Sequence, residues 1–196
     1  MQKIGVIGAG QMGNGIAQVA ACAGYDVVMV DIKDEYVEKG LATIQFSLGK
    51  LVSKERMSQS EADGALARIS TSTERSACAD CDLVVEAVPE ILDLKTNILS
   101  DLDSICKPET ILASNTSSIS ISTIAQATNR PEKVIGMHFM NPVPIMKLVE
   151  VINGDLTSEE TNQIVISAAE KMGKTALSCN DAPGFVSNRI LCPMLN

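Results

Sequence analysis

The apolar positions alternate between short runs rich in β-branched residues and longer stretches with helical spacing. Strands are predicted at 3–7, 26–30, 83–88, 110–114, 133–138, 147–152 and 175–178. Helices are predicted at 12–23, 93–106 and 158–172, with Gly24, Pro108 and Gly173 as their stops. Thr157 and Glu160 have the spacing of a capping box. This alternation is typical of a parallel sheet covered by helices on both faces.

One segment interrupts the alternation. Residues 33–68 read as two consecutive helices with a polar break at 58–60, which predicts a helical pair inserted into an α/β domain. The end of the chain is also unusual, because Pro183 and Gly184 begin a segment whose apolar residues would need burial. Those residues are Phe185, Val186, Ile190, Leu191, Met194 and Leu195.

Composition excludes several classes of function. The formal charge of −8 disfavours nucleic-acid and anionic-membrane surfaces, and no apolar run approaches a membrane span. Six cysteines without an export signal fit a reducing compartment, for which we expect the cytoplasm. Cys78 and Cys81 have C-x-x-C spacing, but no second pair accompanies them. We therefore favour two small core or loop thiols over a metal or redox site.

A glycine motif follows the first predicted strand. Gly8, Gly10 and Gly13 form G-x-G-x-x-G between a strand and a helix, the arrangement that holds a dinucleotide pyrophosphate. The second strand ends in Asp31, whose carboxylate would accept the adenine ribose hydroxyls and repel a 2′-phosphate. The alternative for Asp31 is a simple helix cap. The joint spacing predicts a Rossmann-type, doubly wound, mostly parallel sheet that binds NAD.

His138 is the only histidine of the 196 residues and follows an apolar run. It should lie at the carboxyl end of a strand, where ligands bind in open α/β sheets. A dehydrogenase acting on an alcohol needs such a base, and Glu150 on the next predicted strand could hold the ring. The residues alone leave open a hydrogen-bonded structural histidine, a solvent-facing Glu150, and helix capping by the serines between Ser114 and Ser120.

Several motifs together resemble a known family. "GAGQMG", "DLVVEAVPE", "ASNTSSISI", "GMHFMNPVPIMKLVEV" and "APGFVSNRILCPMLN" occur in the order and spacing of the 3-hydroxyacyl-CoA dehydrogenases, most closely the bacterial 3-hydroxybutyryl-CoA dehydrogenases. The resemblance covers the whole chain. It implies NAD-dependent oxidation of (S)-3-hydroxyacyl-CoA, and the reverse reduction of acetoacetyl-CoA, within fatty-acid or butyrate metabolism.

The resemblance also assigns roles by position. His138 would be the general base and Glu150 its partner, with Ser117 and Asn188 near the reacting oxygen. Ser47 and Lys54 would contact coenzyme A, beside Lys50 and Arg56 in a local basic cluster. The remaining matches would contact NAD: Gly8, Gly10, Gln11, Met12, Gly13, Asp31, Glu90, Lys95, Ser117 and Asn141.

Members of the family continue into a helical C-terminal domain that completes the acyl pocket and the homodimer surface. We therefore expect an NAD-binding domain at 1–182, a linker helix at 183–196, and no C-terminal domain in this chain. Two other functions stay open. One is a nucleotide-binding module with little turnover; the other is a dehydrogenase of small hydroxy acids or sugars, against which the basic helix argues.

Overall fold

The computed structural model describes residues 1–195, which form one eight-stranded sheet with helices on both faces. The sheet order is β3-β2-β1-β4-β5-β6-β7-β8, and the only antiparallel pairing within 1–195 joins β6 to β7. The strands are β1 Lys3–Ile7, β2 Asp26–Val30, β3 Ile69–Ser72, β4 Leu83–Glu86, β5 Ile111–Ser114, β6 Val134–Phe139, β7 Leu148–Asn153 and β8 Thr175–Asn180.

Seven α-helices are described in the same residues. They are α1 Gln11–Cys22, α2 Asp34–Ser53, α3 Gln59–Ala67, α4 Leu92–Ile105, α5 Ile121–Ala125, α6 Glu159–Lys171 and α7 Ser187–Leu195. The predicted Rossmann-type fold with an inserted helical pair is confirmed. The predicted linker segment forms α7, and Asn196 lies outside the described residues. No helix in 1–195 is long and apolar enough to cross a bilayer.

Two apolar layers sandwich the sheet, which explains the continuous apolar runs of its strands. One layer packs α1, α2, α3 and α6 against one face. The other packs α4 and α5 against the opposite face. Cys78 and Cys81 are fully buried in the second layer, close to Gly5, so both are core side chains in this fold.

The prediction missed two elements and assigned one helix cap to the wrong residue. β3 is a half-exposed edge strand of four residues and α5 has five residues, so neither carries a long apolar run. Ser158, not Thr157, caps α6, because the Thr157 hydroxyl instead donates to Val134 O. A full capping box occurs at Ser58 and Glu61, where only a polar break was predicted.

The apolar residues of the last segment were predicted to need burial, and among the described residues only Phe185 of that set is buried. Phe185 is 3% exposed and packs in the second apolar layer. The apolar residues of α7 are between 50% and 76% exposed; they are Ile190, Leu191, Met194 and Leu195. The difference arises because Phe185 packs into the second apolar layer, whereas α7 has no buried residue among Ser187–Leu195.

Candidate functional site

The glycine loop between β1 and α1 is shaped by its three glycines. Gly8 has a φ of 101°, a left-handed conformation that favours glycine. A Cβ at Gly13 would lie 1.7 Å from the Gly8 carbonyl oxygen, so the helix approaches the loop too closely for any side chain there. A Cβ at Gly10 would meet nothing within 4 Å. Gly10 therefore faces open space where a ligand could touch the backbone.

A cleft of about 750 Å³ opens beside this loop, at the carboxyl ends of β1, β2 and β4. This is the switch point of the strand order, where ligands of open α/β sheets bind. Gly8, Gly10, Gln11 and Asp31 line it. No side chain caps the start of α1, so the first N–H groups of that helix are available to an anion.

The Asp31 carboxylate makes structural contacts that sequence reasoning did not predict. Its Oδ2 accepts a hydrogen bond from Ala9 N at 2.7 Å, and its Oδ1 accepts one from Ile32 N at 2.7 Å. The carboxylate thus ties the end of β2 to the glycine loop. The alternative role as a cap of α2 is not supported, since Lys33 occupies the cap position and makes no side-chain capping bond.

An ion-pair network centred on the buried Lys95 supports the loop after β4. Lys95 is 1% exposed, and its Nζ lies 2.8 Å from Glu86 Oε1 and 3.4 Å from Glu90 Oε2. Glu90 Oε1 accepts hydrogen bonds from the turn after β5, including those from Ser117 N at 3.0 Å and Ser118 N at 3.1 Å. Lys95 lies beneath this loop because its ion pairs with Glu86 and Glu90 hold it there, and it does not line the open cleft.

Glu90 stays ionised in this setting. Burial alone would raise its pKa, but hydrogen bonds from Thr116 and Ser118 and the charge of Lys95 hold the pKa below its usual range. Among the other matched positions, Gln11 Nε2 donates to Asn141 Oδ1 at 3.1 Å, whereas Met12 packs on the apolar core.

His138 and Glu150 lie opposite each other in the β6–β7 ladder. Because side chains at directly paired positions share a face, Nδ1 of His138 reaches Oε2 of Glu150 at 2.8 Å. Glu150 is fully buried and His138 is 8% exposed. Burial would raise the pKa of Glu150, but hydrogen bonds from Ser187, His138 and the Val186 and Ser187 amides hold it below its usual range.

Ser117 and Asn188 also come together. Asn188 Nδ2 donates to Ser117 O at 3.1 Å, across 71 residues of sequence. Ser117 lies in the turn after β5, and Asn188 lies in the first turn of α7, one residue after Ser187. Helix capping, the alternative role for the serine-rich segment, falls to Ser120, which caps α5. The structure thus places Ser117, Asn188, His138 and Glu150 around the start of α7.

The remaining predicted residues stand apart on α2. Ser47 is half-buried, while Lys54 is exposed directly after the helix and makes no ion pair in the part of the chain that is described. Beside them, Phe46 is 65% exposed and Lys50 Nζ lies 4.2 Å from the centre of its ring. The helical pair therefore presents a basic and aromatic surface.

Comparison with known proteins identifies the family of the chain. Residues 3–182 match the model of the 3-hydroxyacyl-CoA dehydrogenase NAD-binding domain. The chain belongs to the 3-hydroxyacyl-CoA dehydrogenase family. A probable 3-hydroxybutyryl-CoA dehydrogenase of Deinococcus radiodurans is 58% identical over 99% of this chain and 69% of that relative. The 3-hydroxybutyryl-CoA dehydrogenase of Bradyrhizobium diazoefficiens is 48% identical over 100% of this chain and 67% of that relative.

Solved structures of the family match closely as well. The crystal structure of (S)-3-hydroxybutyryl-CoA dehydrogenase from Ralstonia eutropha superposes with a TM-score of 0.98 at 48% identity, over 100% of this chain and 69% of that one. The expected cofactor, NAD, is confirmed for this 3-hydroxyacyl-CoA dehydrogenase domain. The cleft fits NAD, since Gly10 leaves room at the loop and Asp31 lines the cleft directly after β2.

Some residues of the site were missed by sequence reasoning. Ser187 and Thr116 bind the carboxylates of Glu150 and Glu90. Neither has a spacing signal, because each acts on a partner far along the chain. Glu86 was missed for another reason. It ends the apolar strand β4 and is fully buried, and a carboxylate next to an apolar run was the available signal because buried carboxylates are unusual.

Proposed function

We propose that His138 is the general base of an NAD-dependent dehydrogenase that oxidises (S)-3-hydroxyacyl-CoA, with 3-hydroxybutyryl-CoA as a substrate. The observation that carries this proposal is the pairing of His138 Nδ1 with the buried Glu150 carboxylate at 2.8 Å. Ser117 and Asn188 lie at the same edge of the sheet. The family membership and the acyl-CoA dehydrogenase names of the relatives support it.

The tautomer of His138 follows from its partner. An ionised carboxylate only accepts hydrogen bonds, so Nδ1 of the neutral ring must donate to Glu150. Nε2 then carries the free lone pair that takes the proton of the 3-hydroxyl group. The positive charge that develops on the ring is stabilised by Glu150, which the start of α7 keeps ionised.

NAD held in this cleft would supply the acceptor for the hydride of substrate C3. The chain's part is to hold the two reactants together: the loop at Gly10 and the start of α1 would bind the pyrophosphate, and Asp31 the adenine ribose. The Glu90, Lys95 and Asn141 region would support the nicotinamide half. Of these, Lys95 would act through Glu90, because its Nζ is buried beneath that loop.

The reacting oxygen loses a proton and becomes a carbonyl. We assign its contacts to the Ser117 hydroxyl and to the second N–H of the Asn188 amide, whose first N–H donates to Ser117 O. Donors fixed before the reaction stabilise charge on this oxygen without reorganising.

The coenzyme A carrier would lie along α2, at Ser47 and Lys54. The exposed Lys50, Lys54 and Arg56 supply positive charge on a chain whose net charge is −8. Initial rates with 3-hydroxybutyryl-CoA and with free 3-hydroxybutyrate test this assignment. A large preference for the CoA ester is expected, and equal kcat/KM for the two would overturn it.

Substitution of the base tests the mechanism directly. His138→Gln in the full-length protein should lower kcat by at least ~10²-fold, because glutamine cannot take the proton. NAD affinity, measured by calorimetry, should change little, since His138 lies outside the lining of the nucleotide cleft. Turnover near that of the unaltered protein would refute His138 as the base. NAD binding without any turnover in the 196-residue chain would favour the nucleotide-binding module instead.

A further inference from the structure

The start of α7 wraps around the Glu150 carboxylate. Oε1 accepts hydrogen bonds from Val186 N at 2.9 Å and Ser187 N at 2.7 Å. Oε2 accepts one from the Ser187 hydroxyl at 2.7 Å and also faces His138 Nδ1 at 2.8 Å. A carboxylate has about four acceptor positions, so these four contacts saturate it. Because Glu150 is 0% exposed, water cannot replace a lost donor without rearrangement.

The Ser187 hydroxyl and the His138 ring share one oxygen atom. The hydroxyl proton of Ser187 stabilises the negative charge of Oε2. The same proton carries a partial positive charge, and it approaches Oε2 beside the Nδ1–H of the His138 ring. Both effects weaken the attraction between Glu150 and a protonated ring. Removing the hydroxyl should therefore strengthen the hydrogen bond from His138 and favour the protonated ring.

We propose that Ser187 is a positioning residue that sets the pH at which His138 is free to act as a base. The inference rests on the proposed function, since it gives Ser187 a role only through the His138–Glu150 pair. Ser187 is not among the positions that the resemblance matches to the family's catalytic or cofactor-binding groups. Its neighbour Asn188 is held in a different contact, with Ser117 O.

The other groups around the pair do not compete for this role. β8 contributes Cys179, whose pKa is raised by burial and by the Glu150 and Asp181 carboxylates to about 11, so it stays a neutral thiol near pH 7. Asp181, before α7, is bound by Ser120 Oγ at 2.7 Å and Ser122 N at 2.9 Å. Phe185 contributes only an apolar ring, 5.9 Å from the His138 ring centre, and Arg189 is exposed on α7.

The pH dependence of the full-length protein tests the proposal. In the oxidation of 3-hydroxybutyryl-CoA, kcat/KM should fall at low pH as the base becomes protonated. Ser187→Ala should move the midpoint of this acid limb up by about half a pH unit to one unit. Ser187→Thr, which keeps the hydroxyl, should restore the original midpoint. Ser167→Ala removes an exposed hydroxyl on α6 and should change nothing.

A second readout does not depend on turnover. His138 is the only histidine of the chain, so its ring signals in an NMR titration can be assigned by their loss in His138→Gln. Ser187→Ala should shift their titration midpoint in the same direction as the acid limb. Unchanged midpoints in a folded Ser187→Ala protein, or an equal shift in Ser187→Thr, would overturn the role of Ser187. Absence of turnover with the expected NMR shift would overturn only the proposed function.

Discussion

The nucleotide cleft and the His138 site are held together by different kinds of contact. The cleft is built from the backbone of one short loop, where Gly8, Gly10 and Gly13 fall within six residues of one another. The His138 site joins side chains from β6, β7 and the start of α7, and Asn188 on α7 also binds the Ser117 carbonyl of the turn after β5. Disturbing the cleft should therefore act on the cofactor and the fold, and disturbing the His138 site on turnover.

The largest effect is expected from Glu150→Gln. The glutamine amide would place a donor towards His138 Nδ1, forcing the proton onto Nε2 and removing the free lone pair. We expect kcat in the full-length protein to fall about 10²- to 10⁴-fold. Steady-state kinetics with 3-hydroxybutyryl-CoA measures this loss.

NAD binding separates the two regions in the same variant. Calorimetry should give a Kd for NAD close to that of the unaltered protein, because neither Glu150 nor His138 lines the cleft. A turnover loss of only a few-fold would contradict the role of Glu150. A matching loss of NAD affinity would contradict the independence of the two regions.

Gly13→Ala disturbs the nucleotide cleft instead of the His138 site. Its effect should be somewhat smaller than the loss of kcat in Glu150→Gln. The new Cβ would lie 1.7 Å from the Gly8 carbonyl oxygen, so α1 and the loop must move apart. We expect a loss of about 2–4 kcal/mol in the free energy of unfolding, with NAD affinity at least ~10-fold weaker. Denaturant unfolding and calorimetry measure the two effects.

Gly49→Ala provides a matched control on α2. A Cβ at Gly49 meets nothing within 4 Å, and the position is inside a helix. Alanine there should be neutral or stabilise the protein by up to about 1 kcal/mol, because it narrows the unfolded ensemble. Equal destabilisation by both substitutions would show that the close approach at Gly13 is not the cause.

The difference between a cleft built from one short loop and a site built from distant residues also explains which features the sequence could predict. The position of the G-x-G-x-x-G loop between a strand and a helix, with Asp31 directly after the next strand, could be predicted because this spacing lies within one strand–helix–strand unit. The pairing of His138 with Glu150 was inferred from neighbouring strands, but its register requires the β6–β7 ladder to be antiparallel. Ser187 and Thr116 could not be predicted, because their partners are 37 and 26 residues away. The edge strand β3 was not predicted because a half-exposed strand carries no continuous apolar run.

The smallest effect expected is a local opening of the His138 site in acid. The amides of Val186 and Ser187 are held by Glu150 Oε1, whereas the Gly8 amide is held by a backbone carbonyl, Val30 O, at 2.7 Å. The folded pKa of Glu150 lies below its usual value of about 4.3. The stability that this carboxylate contributes is therefore present above that value and is lost as the pH falls through the folded pKa.

Amide hydrogen exchange in this chain measures that loss. Between about pH 6 and about pH 3.5, exchange at Val186 and Ser187, corrected for its intrinsic rate, should speed up several-fold relative to Gly8. Glu150→Gln has no carboxyl group to protonate, so in that variant the ratio should stay constant across the range. Circular dichroism must show that the chain stays folded across this range. A constant exchange ratio in the folded, unaltered chain would mean that packing around Phe185 holds the start of α7. The two regions would then differ in composition but not in the kind of contact that fixes them.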